Sequence, residues 1–161
     1  SVDCCVDLLI LTINTTNNII TKMEELARTL PEYDTVRNME GCGDKLTPRI
    51  IAEIGDIRRF KNAGSIIAYG GLDAPPYQSG QFEATIRHIS KRGNKYLRKA
   101  GYEIMKSIKS SGKLGNELYD YISKKEEEGK AKKVAKIAGL NKFIRMYYGK
   151  VREKYKELEI W

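Results

Sequence analysis

Apolar residues recur along the start of the chain with alternating spacings of four and three: Val2, Val6, Leu9, Ile13, Thr16, Ile20, Met23, Ala27 and Leu30. That heptad pattern predicts a coiled-coil-like helix over residues 1–30 whose stripe packs on a second copy or on its own domain. Thr16 is the weak layer, and Asn14, Thr15, Asn17 and Asn18 lower the local helix propensity. Pro31 ends the helix, because the residue before a proline is pushed out of the helical region.

Beyond Pro31 the pattern predicts a compact helical domain over residues 31–161, so the fold class is mainly α. An apolar helix runs through Ile50, Ile51, Ile54 and Ile57, and a short one, capped by Asn62, covers 62–69 and stops at Gly70-Gly71. Residues 73–81 read as loop, and Phe82–Ile89 as a short strand or extended arm. Asn94 starts a helix to about Ser110 with Leu97, Gly101, Ile104, Met105 and Ile108 inward. Another follows from about Leu114 to Glu128, on Leu118, Tyr119 and Ile122. After the Gly129-Lys130 turn a last helix carries Val134, Ile137, Ala138, Ile144 and Tyr148, with Tyr148 and Tyr155 as packing residues.

Charge changes this picture. The chain has 161 residues, 41% hydrophobic and 31% charged, and carries a net +8. Between Arg87 and Lys113 nine basic residues face Glu103 alone, so that stretch holds the whole surplus. A surplus so confined reads as an electrostatic footprint for phosphates, with a solvated helix face as the bland alternative. The three cysteines, two of them adjacent, give no disulfide framework and suggest a reducing compartment. His88 is the one histidine, so no Cys/His metal spacing exists. The apolar run Val6–Ile13 is too short for a bilayer, so no membrane is expected. The opening residue is Ser, which suggests an excised fragment.

Two stretches carry candidate chemistry. In "EGCG", Gly41 and Gly43 sit between two helical segments, as in the hairpin of a helix-hairpin-helix motif, with Lys45 beside them. Glycine there lets backbone N–H groups approach a phosphate closely, although an ordinary turn between helices uses glycine too. In "SKRGN", Ser90, Lys91, Arg92, Gly93 and Asn94 read as a phosphate-binding turn entering a helix, with Arg87, Lys95, Arg98 and Lys99 extending the cationic surface. Ser79, in "YQSG", reads from the residues alone as a turn serine before glycine.

The ordered set "AEIGDIRRF", "YGGL", "YQSG" and "ISKRGNKYLRKAGYE" resembles the C-terminal transposase domain of the insertion sequence 110 (116/110/902) family, related to pilin-gene invertases. "EGCG" and the late segment "GKAKKVAKIAGLNKFIRMYY" match in place and character, so the likeness covers about residues 36–149. Glu40 and Cys42 stand where the family hairpin usually has proline and an aliphatic residue, and Gly70 where alanine is more usual.

The resemblance implies a DNA recombinase in two parts. A ribonuclease-H-like domain with four acidic residues would hold magnesium, and this chain would hold no cofactor of its own. The domain seen here would supply a serine that attacks DNA, and the family's Ser-Gly motif falls on Ser79, leaving Ser90 a binding role. DNA is the implied partner, with a guide RNA in some members, dimers or higher oligomers through residues 1–30, and a prokaryotic cytoplasmic location. Without the acidic domain the fragment would be inactive. A rival reading is a non-catalytic helix-hairpin-helix module of a DNA repair or replication protein. A third is a helical oligomerisation element whose basic face is merely solvated.

Overall fold

The computed structural model describes residues 1–74 and 88–161, together with the backbone of two short strands between them. Expectations that fall on 75–77, 80, 81 and 84–87, Arg87 among them, and on the Ser79 side chain lie outside the described residues. The fold is mainly α. Helix α1 is Val2–Arg28, α2 Tyr33–Arg37, α3 Leu46–Ile54, α4 Ala63–Tyr69, α5 Lys95–Ser111, α6 Glu117–Glu127 and α7 Lys132–Glu157. The strands β1 (Gln78–Ser79) and β2 (Phe82–Glu83) pair antiparallel between α4 and α5, with Ser79 opposite Phe82 and Gln78 opposite Glu83. Residues 73–81 are therefore not loop throughout, and the extended pairing of 82–89 is confined, among the described residues, to Phe82 and Glu83.

The last helix is the spine of the domain. It packs against α2, α4, α5 and α6 and buries Ala135, Gly139, Leu140, Phe143, Ile144, Tyr147, Tyr148, Val151 and Tyr155. This corrects the expected inner face, since Val134 is 54% exposed and Ile137 and Ala138 are only half-buried. Small residues set the rotation instead. A Cβ on Gly139 would meet Ile122 Cγ1 at 2.6 Å, and one on Gly101 of α5 would collide with Leu140, so close helix contact fixes the face that turns inward.

Other boundaries follow from local chemistry. Asn94 caps α5 as expected, its Oδ1 accepting from the N–H groups of Tyr96 (2.8 Å) and Leu97 (3.1 Å). The α5 stripe Leu97, Gly101, Ile104, Met105 and Ile108 is buried. Helix α6 starts later than the apolar pattern implies, at the Asn116 cap, because Gly115 at φ +83° breaks the chain after an 85% exposed Leu114. Helix α3 stops at Gly55, so Ile57 belongs to a separate 3₁₀ turn, Ile57–Arg59, that Asp56 caps.

Helix α1 reaches away from this body. Of its residues Ala27 alone is buried, while Val2, Val6, Leu9 and Ile13 are all exposed. In its polar middle the Thr12 and Thr16 hydroxyls donate, each at 2.7 Å, to the carbonyls of Leu8 and Thr12, which satisfies them within the helix. By length and composition α1 is long and apolar enough to cross a membrane, which the short run Val6–Ile13 had not suggested.

Candidate nucleic-acid interface

The glycine-containing motifs "YGGL" and "SKRGN" meet. The Ser90 N–H donates to the Asp73 carbonyl (2.7 Å), Lys91 N–H to Gly71 (3.0 Å) and Asn94 N–H to Tyr69 (2.8 Å). Residues 69–73 and 90–94 are thereby tied together, and the segment containing Ser79 starts and ends at one fixed base. Glycine is required there by close approach. A Cβ on Gly71, at φ +62°, would lie 2.9 Å from the Arg92 nitrogen, and one on Gly93, at φ +155°, would run into the Tyr69 carbonyl. Lys91 itself sits at φ +54°, a left-handed conformation that few non-glycine residues adopt.

Side chains reinforce the clamp. The Ser90 hydroxyl donates to Asp73 Oδ1 at 2.7 Å, and Arg98 Nη1 donates to the carbonyls of Gly70 (2.8 Å) and Gly93 (3.3 Å). Asn94, besides capping α5, donates through Nδ2 to Glu53 Oε2 (2.8 Å) and the Tyr69 hydroxyl (3.2 Å). The Arg59 guanidinium lies over the rings of Phe60 and Tyr69 at 4.5 and 4.7 Å, and with Asn94 it holds the Tyr69 hydroxyl below the usual tyrosine range. Of the expected phosphate-binding residues, Ser90, Gly93, Asn94 and Arg98 thus make internal contacts at the base. Lys91, Arg92, Lys95 and Lys99 are exposed beside them and form no ion pair among the described residues.

The "EGCG" hairpin is elsewhere. It joins α2 to α3 and rests on the C-terminal half of α5, where a Cβ on Gly41 would meet Ile108 Cγ1 at 2.6 Å and the Ile104 carbonyl at 2.9 Å. At about 1.5 Å of rise per residue, Ile108 lies roughly 20 Å along α5 from Lys95, so the two candidate surfaces occupy opposite ends of one helix. Gly41 is explained by this packing and by its φ of +78°. Gly43 is not: a Cβ there would meet nothing within 4 Å. Among the described residues the N–H groups of Gly41 and Gly43 have no hydrogen-bond acceptor, whereas the Gly43 carbonyl accepts from Leu46 (3.1 Å) and Thr47 (2.9 Å) at the start of α3. Lys45 is exposed next to it, and Asp44 is engaged by Arg37 at 2.7 Å, which holds its carboxyl below the ordinary range.

Sequence reasoning missed Asp73, Tyr69, Glu53 and Arg59. Tyr69, Glu53 and Arg59 stand in the motifs quoted above and Asp73 just after "YGGL", but nothing in the spacing says that one motif's side chains close on another's backbone. Among the described residues no three His, Cys, Asp or Glu side chains converge.

Fold and charge define a helical domain with a clamped loop base and a row of exposed cations beside it. Residues 33–120 match the family described as Transposase IS116/IS110/IS902. The chain belongs to that transposase family. It is 29% identical over 113 residues to the pilin gene-inverting protein of Moraxella bovis, covering 70% of this chain and 34% of that protein. The Moraxella lacunata protein of the same name matches equally. An uncharacterized 44.8 kDa protein of insertion element IS116 from Streptomyces clavuligerus is 26% identical over 133 residues, 83% of this chain and 32% of its own length. The chain spans about a third of the length of these relatives.

Proposed function

We propose that this chain is the DNA-binding, serine-bearing part of a transposase or site-specific recombinase, with Ser79 as nucleophile. The observation that carries the reading is the clamped base. A segment holding Ser79 leaves and returns at one point, with Lys91 and Arg92 exposed where the chain returns and Lys95 exposed at the start of α5. In the proposed step the Ser79 oxygen attacks a backbone phosphorus and loses its proton to a base. One phosphorus–oxygen bond to a deoxyribose breaks, and that sugar oxygen takes up a proton. The exposed cations offset charge developing on the phosphate oxygens. Magnesium, where the longer protein binds it, would polarise the phosphate, and its ligands belong to the family's acidic domain.

The open, unpaired Gly43 N–H supports a second role for this chain, a backbone contact by the hairpin that positions DNA without reading its sequence. The uncovered α1 stripe supports pairing with a second copy of the chain. A prokaryotic cytoplasmic setting goes with this reading, and a guide RNA is a further partner it allows. In the full-length protein, Ser79→Ala should abolish strand cleavage and the covalent protein–DNA adduct while leaving DNA binding intact. Cleavage that survives the substitution would sink the nucleophile assignment and leave a non-catalytic binding module.

A further inference from the structure

The cationic stretch from Arg87 to Lys113 is not the molecule's only concentration of positive charge. The turn between α6 and α7 carries Lys124, Lys130, Lys132, Lys133 and Lys136, none of which forms an ion pair among the described residues. The acidic run beside them is largely spent. Glu126 pairs with Lys109 at 3.0 Å and Glu128 with Lys125 at 2.7 Å, so Glu127 is the one carboxylate of that run outside an ion pair among the described residues. Four of the five are exposed and Lys136 is half-buried.

This surface is held rigidly. Gly129 and Lys130 donate their N–H groups to the carbonyls of Glu126 (3.0 Å) and Lys125 (3.1 Å), which closes the end of α6. The α6–α7 hairpin is locked by Ile122 against Gly139 and by the Lys142–Glu117 ion pair at 2.9 Å. Its charges also oppose their own helix. No acidic residue occupies the first turn of α7, and Lys132 and Lys133 stand at the positive end of its dipole with no side-chain cap from Ala131. No ion pair among the described residues offsets that arrangement, whereas a polyanion lying across it would.

Position argues for the same anion that the hairpin meets. Lys109 on α5 reaches α6 through Glu126 and through the Ser123 hydroxyl (2.9 Å), while the "EGCG" hairpin sits on Ile104 and Ile108 of the same helix. Hairpin and lysine turn therefore flank the C-terminal end of α5, the end remote from the clamped base. We infer that the α6–α7 lysine turn is a second DNA-backbone contact, which with the hairpin grips the duplex away from the Ser79 segment. This rests on the reading that the partner is DNA.

The test uses this chain and a duplex oligonucleotide, with affinity read by fluorescence anisotropy between about 50 and 200 mM salt. The quadruple variant K130Q/K132Q/K133Q/K136Q should flatten the slope of log affinity against log salt by about 3 to 4, at 0.9 per lost phosphate contact. Its thermal unfolding should occur no lower than in the wild type, because three of the four altered side chains are exposed and the two at the start of α7 no longer oppose its dipole. A slope unchanged in this variant but reduced by K91Q/R92Q/K95Q would overturn the second contact and leave the DNA reading standing. Absence of salt-dependent duplex binding by the wild type would overturn both. Loss of binding to single-stranded RNA or to anionic vesicles alone, with duplex binding intact, would reassign the patch to another partner.

Discussion

Helices α1 and α7 are nearly the same length, 27 and 26 residues, and differ in almost everything else. The first carries a regular heptad of aliphatic side chains and buries Ala27 alone. The last carries an apolar stripe too, Leu140, Ile144, Tyr147, Val151 and Tyr155, and buries nine residues. Hydrophobic regularity is therefore a poor guide to which helix holds the domain together. Glycine contacts at Gly101 and Gly139 draw α7 into the core, whereas α1 leaves its stripe uncovered from Val2 to Ile13. One helix belongs to the folding of a single chain, and the other has an apolar surface that this chain alone does not cover.

Truncations should expose that contrast most strongly. Phe143→Ala removes a fully buried ring from α7 and should cost about 3–5 kcal/mol, read from the denaturation midpoint at unchanged slope. Leu9→Ala on α1, where the side chain is 59% exposed, should change the unfolding of the dilute protein by less than about 0.5 kcal/mol. Comparable losses at the two sites would show that α1 packs on its own domain after all.

A sharper cut comes from charge on the stripe. Leu9→Asp together with Ile13→Asp places carboxylates in two successive, exposed layers of the heptad. Pairing of α1 between copies predicts that sedimentation reports a dimer or larger species for the wild type and a monomer for the variant, with the α5–α7 body unfolding as before. An unchanged mass would remove the second copy as the cover for α1.

Much of the fold was legible because caps and spacings agree. Asn62 and Asn94 accept the first-turn N–H bonds their positions suggest, and the α5 stripe is buried as its period requires. The face of α7 was legible in part: Ile144, Tyr148 and Tyr155 turn inward at their helical spacing, whereas the close contacts through Gly101 and Gly139 leave no apolar mark in the sequence. The site divides along the same line. Lysines and arginines between 87 and 113 advertise a phosphate surface, yet a guanidinium in a sequence does not reveal whether it faces solvent. Arg98 turns back to the carbonyls of Gly70 and Gly93, and Ser90 to Asp73, a residue with no conspicuous neighbour in the sequence. Tertiary closure of one motif on another decided both.

The smallest expected effect uses the cysteines, which fall on the two sides of the comparison. Cys4 and Cys5 are exposed on α1 and flank its stripe, so pairing through Val2, Val6 and Leu9 leaves them accessible. Cys42 is buried against the body, and burial pushes its thiol up to about 12, with the Arg37 charge acting weakly the other way. Near pH 8 two thiols should therefore react with iodoacetamide at ordinary rates and the third only as the chain unfolds. A raised folded pKa means that the protonated thiol favours the native state. Its contribution is complete below the unfolded value near 8.5 and is lost as pH climbs from there towards 12. Cys42→Ala should accordingly flatten part of the decline in denaturation midpoint between about pH 8.5 and 10.5. If Cys42 in the folded chain were alkylated as fast as Cys4 and Cys5, the α2–α3 hairpin would be opening against α5, and the fixed seat of Gly41 on Ile108 would have to be abandoned.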